Sequence, residues 1–234
     1  LPVVEHDVET GALGWNAMFL LGHRGARAYA PENSIEAFAL AIEHGCHGFE
    51  LDVRLDGERV AVCCHDAYWK EVEVSASSAA ALDLATLERV LEEHPTAFLD
   101  IEMKVTGVTP LFTPLLNARD PERTVISSFL PAAVREAQRY CSGIAAGLIC
   151  DSDEQMTVFP ELDCEVLIPH YTLVTTELVD DLHARGKRVL TWTVNAPEQI
   201  LRVARAGVDG IISDDTQLLV RLVRDMIAPV LVAD

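Results

Sequence analysis

Glu50 and Asp52 interrupt a stretch, Gly48-Phe49-Glu50-Leu51-Asp52-Val53, that is otherwise apolar and β-branched enough to be a strand. On a strand, residues two apart share a face and lie about 6.5 Å from each other. Leu51 and Val53 then point the other way, toward whatever covers the sheet. Two carboxylates aimed at one interior repel each other and lose solvation unless a cation neutralises them. The arrangement returns in Leu99-Asp100-Ile101-Glu102-Met103-Lys104, where Glu102 and Lys104 share a face. A divalent-metal site with a lysine beside it accounts for both stretches. A buried salt-bridge site with Lys104 or Arg24 is the rival reading.

The elements that must carry these residues alternate. Phe19-Leu20-Leu21 reads as a strand running into Gly22-His23-Arg24-Gly25. A helix is expected from Asn33, where Glu36 three residues on makes a capping-box pattern, and Gly45 should close it in a left-handed conformation. Further strands are expected at 97–101, 124–127, 144–149, 166–168, 188–193 and 210–213, with helices at 81–93, 131–140, 175–185 and 197–206. Strand–helix alternation over the whole length implies parallel strands with right-handed crossovers. About eight strands with polar C-terminal ends favour a TIM-type (β/α)8 barrel over an open sheet. The pattern breaks after Asp52. Asp56-Gly57 is a hairpin signal, no helix fits before the next strand (59–64), and residues 67–80 form an irregular Ser/Ala-rich loop. The barrel should therefore be irregular around its second and third strands. Residues 1–18 read as a lead-in packed on the outside, and no composition break divides 1–234 into more than one domain.

If the strands are parallel, His23, Arg24, Glu50, Asp52, His65, Asp66, Glu102 and Lys104 all gather at one mouth. This is the kit for metal-assisted attack on a phosphate ester, with cations on the phosphoryl oxygens and imidazoles exchanging protons. Composition narrows the partners. With 37 acidic against 18 basic residues the net charge is −19, which argues against a nucleic-acid or anionic-membrane surface, and a small-molecule substrate bearing phosphate would need locally concentrated positive charge. No apolar run approaches a membrane span, so stable membrane insertion is not expected. Six cysteines without CxxC or metal-finger spacing, and no basic leader, fit a reducing cytoplasm.

The motifs, in order, resemble the glycerophosphodiester phosphodiesterases. They are His23-Arg24-Gly25, Pro31-Glu32-Asn33-Ser34, Glu50-Leu51-Asp52-Val53, Asp56-Gly57, His65-Asp66, Glu102-Met103-Lys104, Ser128-Phe129, Trp192-Thr193-Val194-Asn195 and 207–214. The likeness runs from about Leu20 to Asp215. It implies a TIM-type barrel that hydrolyses glycerophosphodiesters to an alcohol and sn-glycerol 3-phosphate, through a cyclic phosphate made by the substrate's own hydroxyl. It implies one divalent cation, Ca²⁺ or Mg²⁺, on Glu50, Asp52 and Glu102. His23 and His65 would be the general acid–base pair, Arg24 and Lys104 would hold the phosphate, and Trp192 would lie against glycerol.

This sequence departs from the family in having Ser34 for Thr, Met103 for Ile and Ser213 for Thr. Its Asp56-Gly57 link is short, and its insertion after His65-Asp66 is abbreviated. That insertion walls the substrate pocket in the family, so lysophospholipids or other phosphodiesters are alternative substrates. A non-catalytic phosphate-ligand binder on the same barrel is a further alternative. Read from the residues alone, Trp192 is also compatible with simple core, Glu32 with helix capping, and His170 with a surface position.

Overall fold

A computed structural model of the protein describes residues 18–227, and nearly all of the lead-in expected at 1–18 lies outside them. The elements follow in order: β1 (Phe19–Gly22), α1 (Ile35–Glu43), β2 (Gly48–Leu55), β3 (Ala61–Cys63), β4 (Tyr68–Trp69), β5 (Val72–Glu73), α2 (Ala79–Leu82), α3 (Leu87–Glu93), β6 (Phe98–Met103) and α4 (Thr109–Asn117). Then come β7 (Thr124–Ser128), α5 (Pro131–Tyr140), β8 (Ala145–Cys150), α6 (Asp153–Met156), α7 (Phe159–Leu162) and β9 (Val166–Pro169). The chain continues through α8 (Thr176–Ala184), β10 (Arg188–Thr191), α9 (Pro197–Ala206), β11 (Gly210–Ser213) and α10 (Thr216–Ile227).

The strand order is β1-β11-β10-β9-β8-β7-β6-β2, and β1 pairs with β2 to close the ring, so eight parallel strands form a barrel. β3 hangs on β2 as an antiparallel partner, with Val53 opposite Cys63. This is the hairpin and the irregularity expected from Asp56-Gly57. β4 and β5 make a two-stranded ribbon in the abbreviated insertion. The helix expected over 81–93 is two helices, because Asp83 takes a left-handed backbone (φ 55°) and Thr86 starts α3 by accepting from Arg89 N. The first helix also begins one residue later than expected. Ser34, not Asn33, caps it, accepting from Ala37 N at 3.1 Å.

Two apolar layers follow from the pleat. Leu51, Val53, Ile101 and Met103 point outward and pack with Phe38, Leu87 and Val90 of the helices in the main core. Phe19, Leu21, Phe98, Val125, Val166, Ile168, Leu190 and Ile212 fill the barrel interior. The strands must approach closely there. A Cβ on Gly48 would lie 1.7 Å from the Phe98 carbonyl oxygen, so only glycine fits at the start of β2.

The hairpin between β2 and β3 depends on one buried side chain. Asp56 Oδ1 accepts from Glu58 N (2.9 Å) and Val60 N (2.8 Å), and its Oδ2 accepts from Ala79 N (2.7 Å). Asp56→Ala should destabilise the protein by about 1–3 kcal/mol, because it strands buried amide donors. Denaturant unfolding that gave an unchanged midpoint would show these bonds to be dispensable.

Candidate active site

The loop after β1 does much of the positioning. His23 leaves the strand with its backbone N–H on Ser213 O, across the barrel closure. Arg24 then adopts a left-handed backbone (φ 54°), rare for a non-glycine residue, which aims its own N–H at Glu50 Oε2 (2.9 Å). Gly25 follows at φ 82°, where a Cβ would stand 2.5 Å from the Ala37 backbone of α1. His-Arg-Gly is thus one continuous geometry: an imidazole, a turned-back amide and a residue that must have no side chain.

Asn33 is the next surprise. It is buried, left-handed (φ 56°), and grips Asp52 twice: its Nδ2 donates to Asp52 Oδ2 (2.8 Å) and its Oδ1 accepts from Asp52 N (3.1 Å). Glu32 accepts from Arg24 Nη1 at 2.9 Å and pairs with Arg27 Nε at 2.8 Å. Capping explained Pro31-Glu32-Asn33-Ser34 in the sequence. In the fold only Ser34 caps, while Asn33 and Glu32 orient an acid and a guanidinium.

The three carboxylates read as ligands do meet. Glu50, Asp52 and Glu102 each bring one oxygen within 4.8 Å of the others, all three being buried. Asp52 is the Cα partner of Glu102 across the β2–β6 ladder, which is what unites them. Burial pushes Glu50 well above the usual carboxylate range, and Asp52, Glu102 and Asp100 push it further. Burial and the Asp52 charge raise Glu102 to about 7. Burial acts on Asp52 in the same direction, but Arg24, Lys104 and the Asn33 hydrogen bond outweigh it and hold this acid below its ordinary value. Glu50 Oε1 and Asp52 Oδ1 are buried without a hydrogen-bond partner among the described residues. Hard oxygen donors with unmet acceptor capacity suit a divalent cation of the Ca²⁺ or Mg²⁺ type.

Basic groups flank the cluster. Lys104 Nζ lies 2.7 Å from Glu102 and 3.4 Å from Asp52 Oδ1, and Arg24 Nε lies 3.1 Å from Asp52 Oδ2. Both side chains expected on a phosphate therefore sit against the acids, 12% exposed.

Each imidazole is held by a carboxylate. His23 Nδ1 meets Asp214 Oδ1 at 2.6 Å, and Asp214 Oδ2 accepts from Asn195 Nδ2 at 2.7 Å. Burial tends to raise the Asp214 carboxyl, but the hydrogen bonds from His23 and Asn195 bring it below its usual range. An ionised carboxylate can only accept, so Nδ1 of His23 carries the hydrogen and Nε2 is left for chemistry. His65 Nδ1 pairs the same way with Asp66 (2.8 Å), and burial lowers the imidazole below its ordinary 6.5.

One cavity of about 140 Å³ joins these groups, lined among others by His23, His65, Arg24, Glu50, Glu102 and Lys104. Trp192 and Phe129 wall its opposite side with rings edge to face at 5.3 Å, and Trp192 Nε1 donates to Ile168 O. His170 packs edge-on against Trp192 at 5.5 Å, nearer the site than its surface assignment suggested. Trp192 completes the set of expected site residues that line this cavity, Asp52 adjoins it through the carboxylate cluster, and Asp66, Glu32 and His170 do not line it. Asn33, Asp214, Asn195 and Asp100 were missed as site residues. Asn33, Asn195 and Asp214 lie within the quoted motifs without a role of their own, and Asp100 shares the Glu102 face of its strand.

The acids predict a linkage. Folded Glu102 keeps its proton to about pH 7 while the unfolded side chain releases it near 4.5. The folded state therefore binds more protons, and without added cation its stability falls as pH rises through that window. A bound cation must displace those protons, so its affinity rises with pH. Added Ca²⁺ or Mg²⁺ at a hundredfold excess over Kd should contribute about 2.7 kcal/mol at pH 8 and less at pH 6. A thermal shift that is equal at both pH values, or absent in both, would remove the cation from this cluster.

The comparisons with known proteins point to one family. The model of the "Glycerophosphoryl diester phosphodiesterase family" matches residues 23–118 and 101–218. The chain is 29% identical over 240 residues to a glycerophosphodiester phosphodiesterase of Caldanaerobacter subterraneus subsp. tengcongensis, covering 88% of this chain and 97% of that protein. The crystal structure of a glycerophosphodiester phosphodiesterase from Thermotoga maritima is similar at a TM-score of 0.77 and 26% identity, over 88% of this chain and 98% of its own. An Oleispira antarctica phosphodiesterase solved in complex with the product sn-glycerol-3-phosphate shares the fold (TM-score 0.77, 24% identity, 88% and 96% covered).

Proposed function

Because the chain belongs to the glycerophosphoryl diester phosphodiesterase family, we propose that it hydrolyses glycerophosphodiesters to an alcohol and sn-glycerol 3-phosphate with a divalent cation, Ca²⁺ or Mg²⁺. One observation carries the reading: three buried carboxylates converge within 4.8 Å, in a cavity that also holds two carboxylate-oriented imidazoles.

Glu50, Asp52 and Glu102 hold the cation, and Asn33 keeps Asp52 aimed at it. The bound cation supplies charge stabilisation to the phosphoryl oxygens and makes a hydroxyl near it easier to deprotonate. Arg24 and Lys104 turn from the acids to the phosphate as its charge enters the site. His65, kept neutral by burial, takes the proton from the glycerol hydroxyl next to the ester through Nε2. That oxygen attacks phosphorus and closes a five-membered cyclic phosphate. His23, its Nδ1 tied to Asp214, gives a proton from Nε2 to the departing alkoxide. The roles then reverse: His23 takes a proton from water, the water oxygen opens the ring, and His65 returns a proton to the glycerol oxygen. Trp192 and Phe129 exclude bulk water from the apolar side, which strengthens the electrostatic interactions within.

Chelation should abolish turnover of glycerophosphocholine, and Ca²⁺ or Mg²⁺ should restore it. His23→Ala and His65→Ala should each cost on the order of 10²–10⁴ in kcat. Near-normal rates in both variants would sink the acid–base assignment.

The pH profile offers a separate check. A base with a depressed pKa stays neutral further into acid, so with cation saturating at every pH the acidic limb of kcat/KM should lie below pH 6.5. The limb should vanish in His65→Ala. An acidic limb above pH 7 would give the proton-accepting role to another group.

A further inference from the structure

Asp100 has no role in the chemistry above, yet it lines the same cavity. It lies on β6 as the Cα partner of Glu50, one inward step below Glu102, and it is fully buried. Its Oδ1 accepts from the Ser127 hydroxyl at 2.6 Å. Its Oδ2 is buried with no partner among the described residues. The strands β8, β9 and β11 contribute only apolar side chains to that cavity, Ile149, Ile168 and Ile212.

A buried carboxyl oxygen with no partner among the described residues is costly unless something enters to pair with it. An anionic group is repelled by Asp100 and Glu50 together. An alkyl group leaves the oxygen stranded. A hydroxyl answers it, being small, neutral and able to pair with a carboxyl in either protonation state. The part of the substrate that varies must point to the open mouth, so the inner end takes the constant part, which is glycerol. One glycerol hydroxyl, adjacent to the ester, is used in the attack on phosphorus. The terminal hydroxyl is free.

We infer that Asp100 is a specificity residue, whose Oδ2 accepts a hydrogen bond from the terminal hydroxyl of the substrate's glycerol unit. This rests on the glycerophosphodiesterase reading and deepens it to a substrate class. A lysophospholipid carries its acyl chain on that terminal oxygen. Acylation removes the donor and adds a chain to a cavity of only about 140 Å³. Deacylated glycerophosphodiesters are therefore the substrates, and lysophospholipids are excluded.

The test compares three diesters in the cation-loaded protein: glycerophosphocholine, its terminal-deoxy analogue with propane-1,2-diol in place of glycerol, and 1-acyl lysophosphatidylcholine. Wild type should favour glycerophosphocholine over both by at least about tenfold in kcat/KM, since the site leaves a buried acceptor unpaired with the others. Asp100→Ala should bring the glycerol and deoxy substrates within about threefold, mainly through KM, while calorimetric Ca²⁺ or Mg²⁺ affinity is retained. Asp100→Leu fills the same space without an acceptor and should do likewise if the alanine variant folds poorly. Calorimetry of sn-glycerol 3-phosphate against propane-1,2-diol phosphate should show the same preference in wild type and its loss in either variant. Equal handling of the glycerol and deoxy substrates by wild type overturns the inference while leaving the family activity intact. So does a ratio that persists in the variants, or rapid lysophospholipid turnover. Failure of wild type to turn over any of the three overturns the activity itself, and the inference with it.

Discussion

Mutual repulsion among buried carboxylates is the constraint that the rest of this molecule answers. Glu50, Asp52, Asp100 and Glu102 lie on two adjacent strands, each nearly or wholly buried. Unpaired, such charges would not survive burial as charges. Arg24 and Lys104 both pair with Asp52, the one acid of the four held below its ordinary value, and Lys104 lies closer still to Glu102. The others keep protons to higher pH than an exposed carboxylate would. A divalent cation held by Glu50, Asp52 and Glu102 would resolve the conflict among those three, which makes a site costly to fold useful to chemistry.

The barrel interior is divided accordingly. β2 and β6 carry the acids, whereas β8, β9 and β11 face them with Ile149, Ile168 and Ile212. An apolar wall lowers the local dielectric and so magnifies every charge interaction across the cavity. One Asp100 oxygen has no partner among the described residues. Stability and specificity are linked here, because the wall that strengthens the site's electrostatics makes an unpaired acceptor expensive.

Two of the seven described non-glycine residues with positive φ lie in the loop that serves this site. Arg24 and Asn33 both take left-handed backbones that side chains other than glycine seldom adopt. Each is locked by contacts to an acid: the Arg24 amide to Glu50, the Asn33 amide to Asp52. The hairpin of β2 and β3 has the same character, with Asp56 spending both oxygens on the backbone of the turn and of α2. An irregular second unit is tolerated because local hydrogen bonds replace the missing helix.

Much of this was legible in the sequence because it is local. The two-residue period of a strand put Glu50 with Asp52 and Glu102 with Lys104, and strand–helix alternation set the barrel and its mouth. Asp56-Gly57 announced the hairpin. What stayed hidden depends on partners distant along the chain. Asn33 looks like a helix cap until Asp52, 19 residues on, is seen to receive it. Asp214 orients His23 across 191 residues, a pairing created only when the last strand closes against the first. Asp100 shares its face with a ligand, but whether its free oxygen meets a protein donor or an apolar wall is decided by strands on the far side of the barrel. Periodicity fixes which way a side chain points; closure of the ring decides what it finds there.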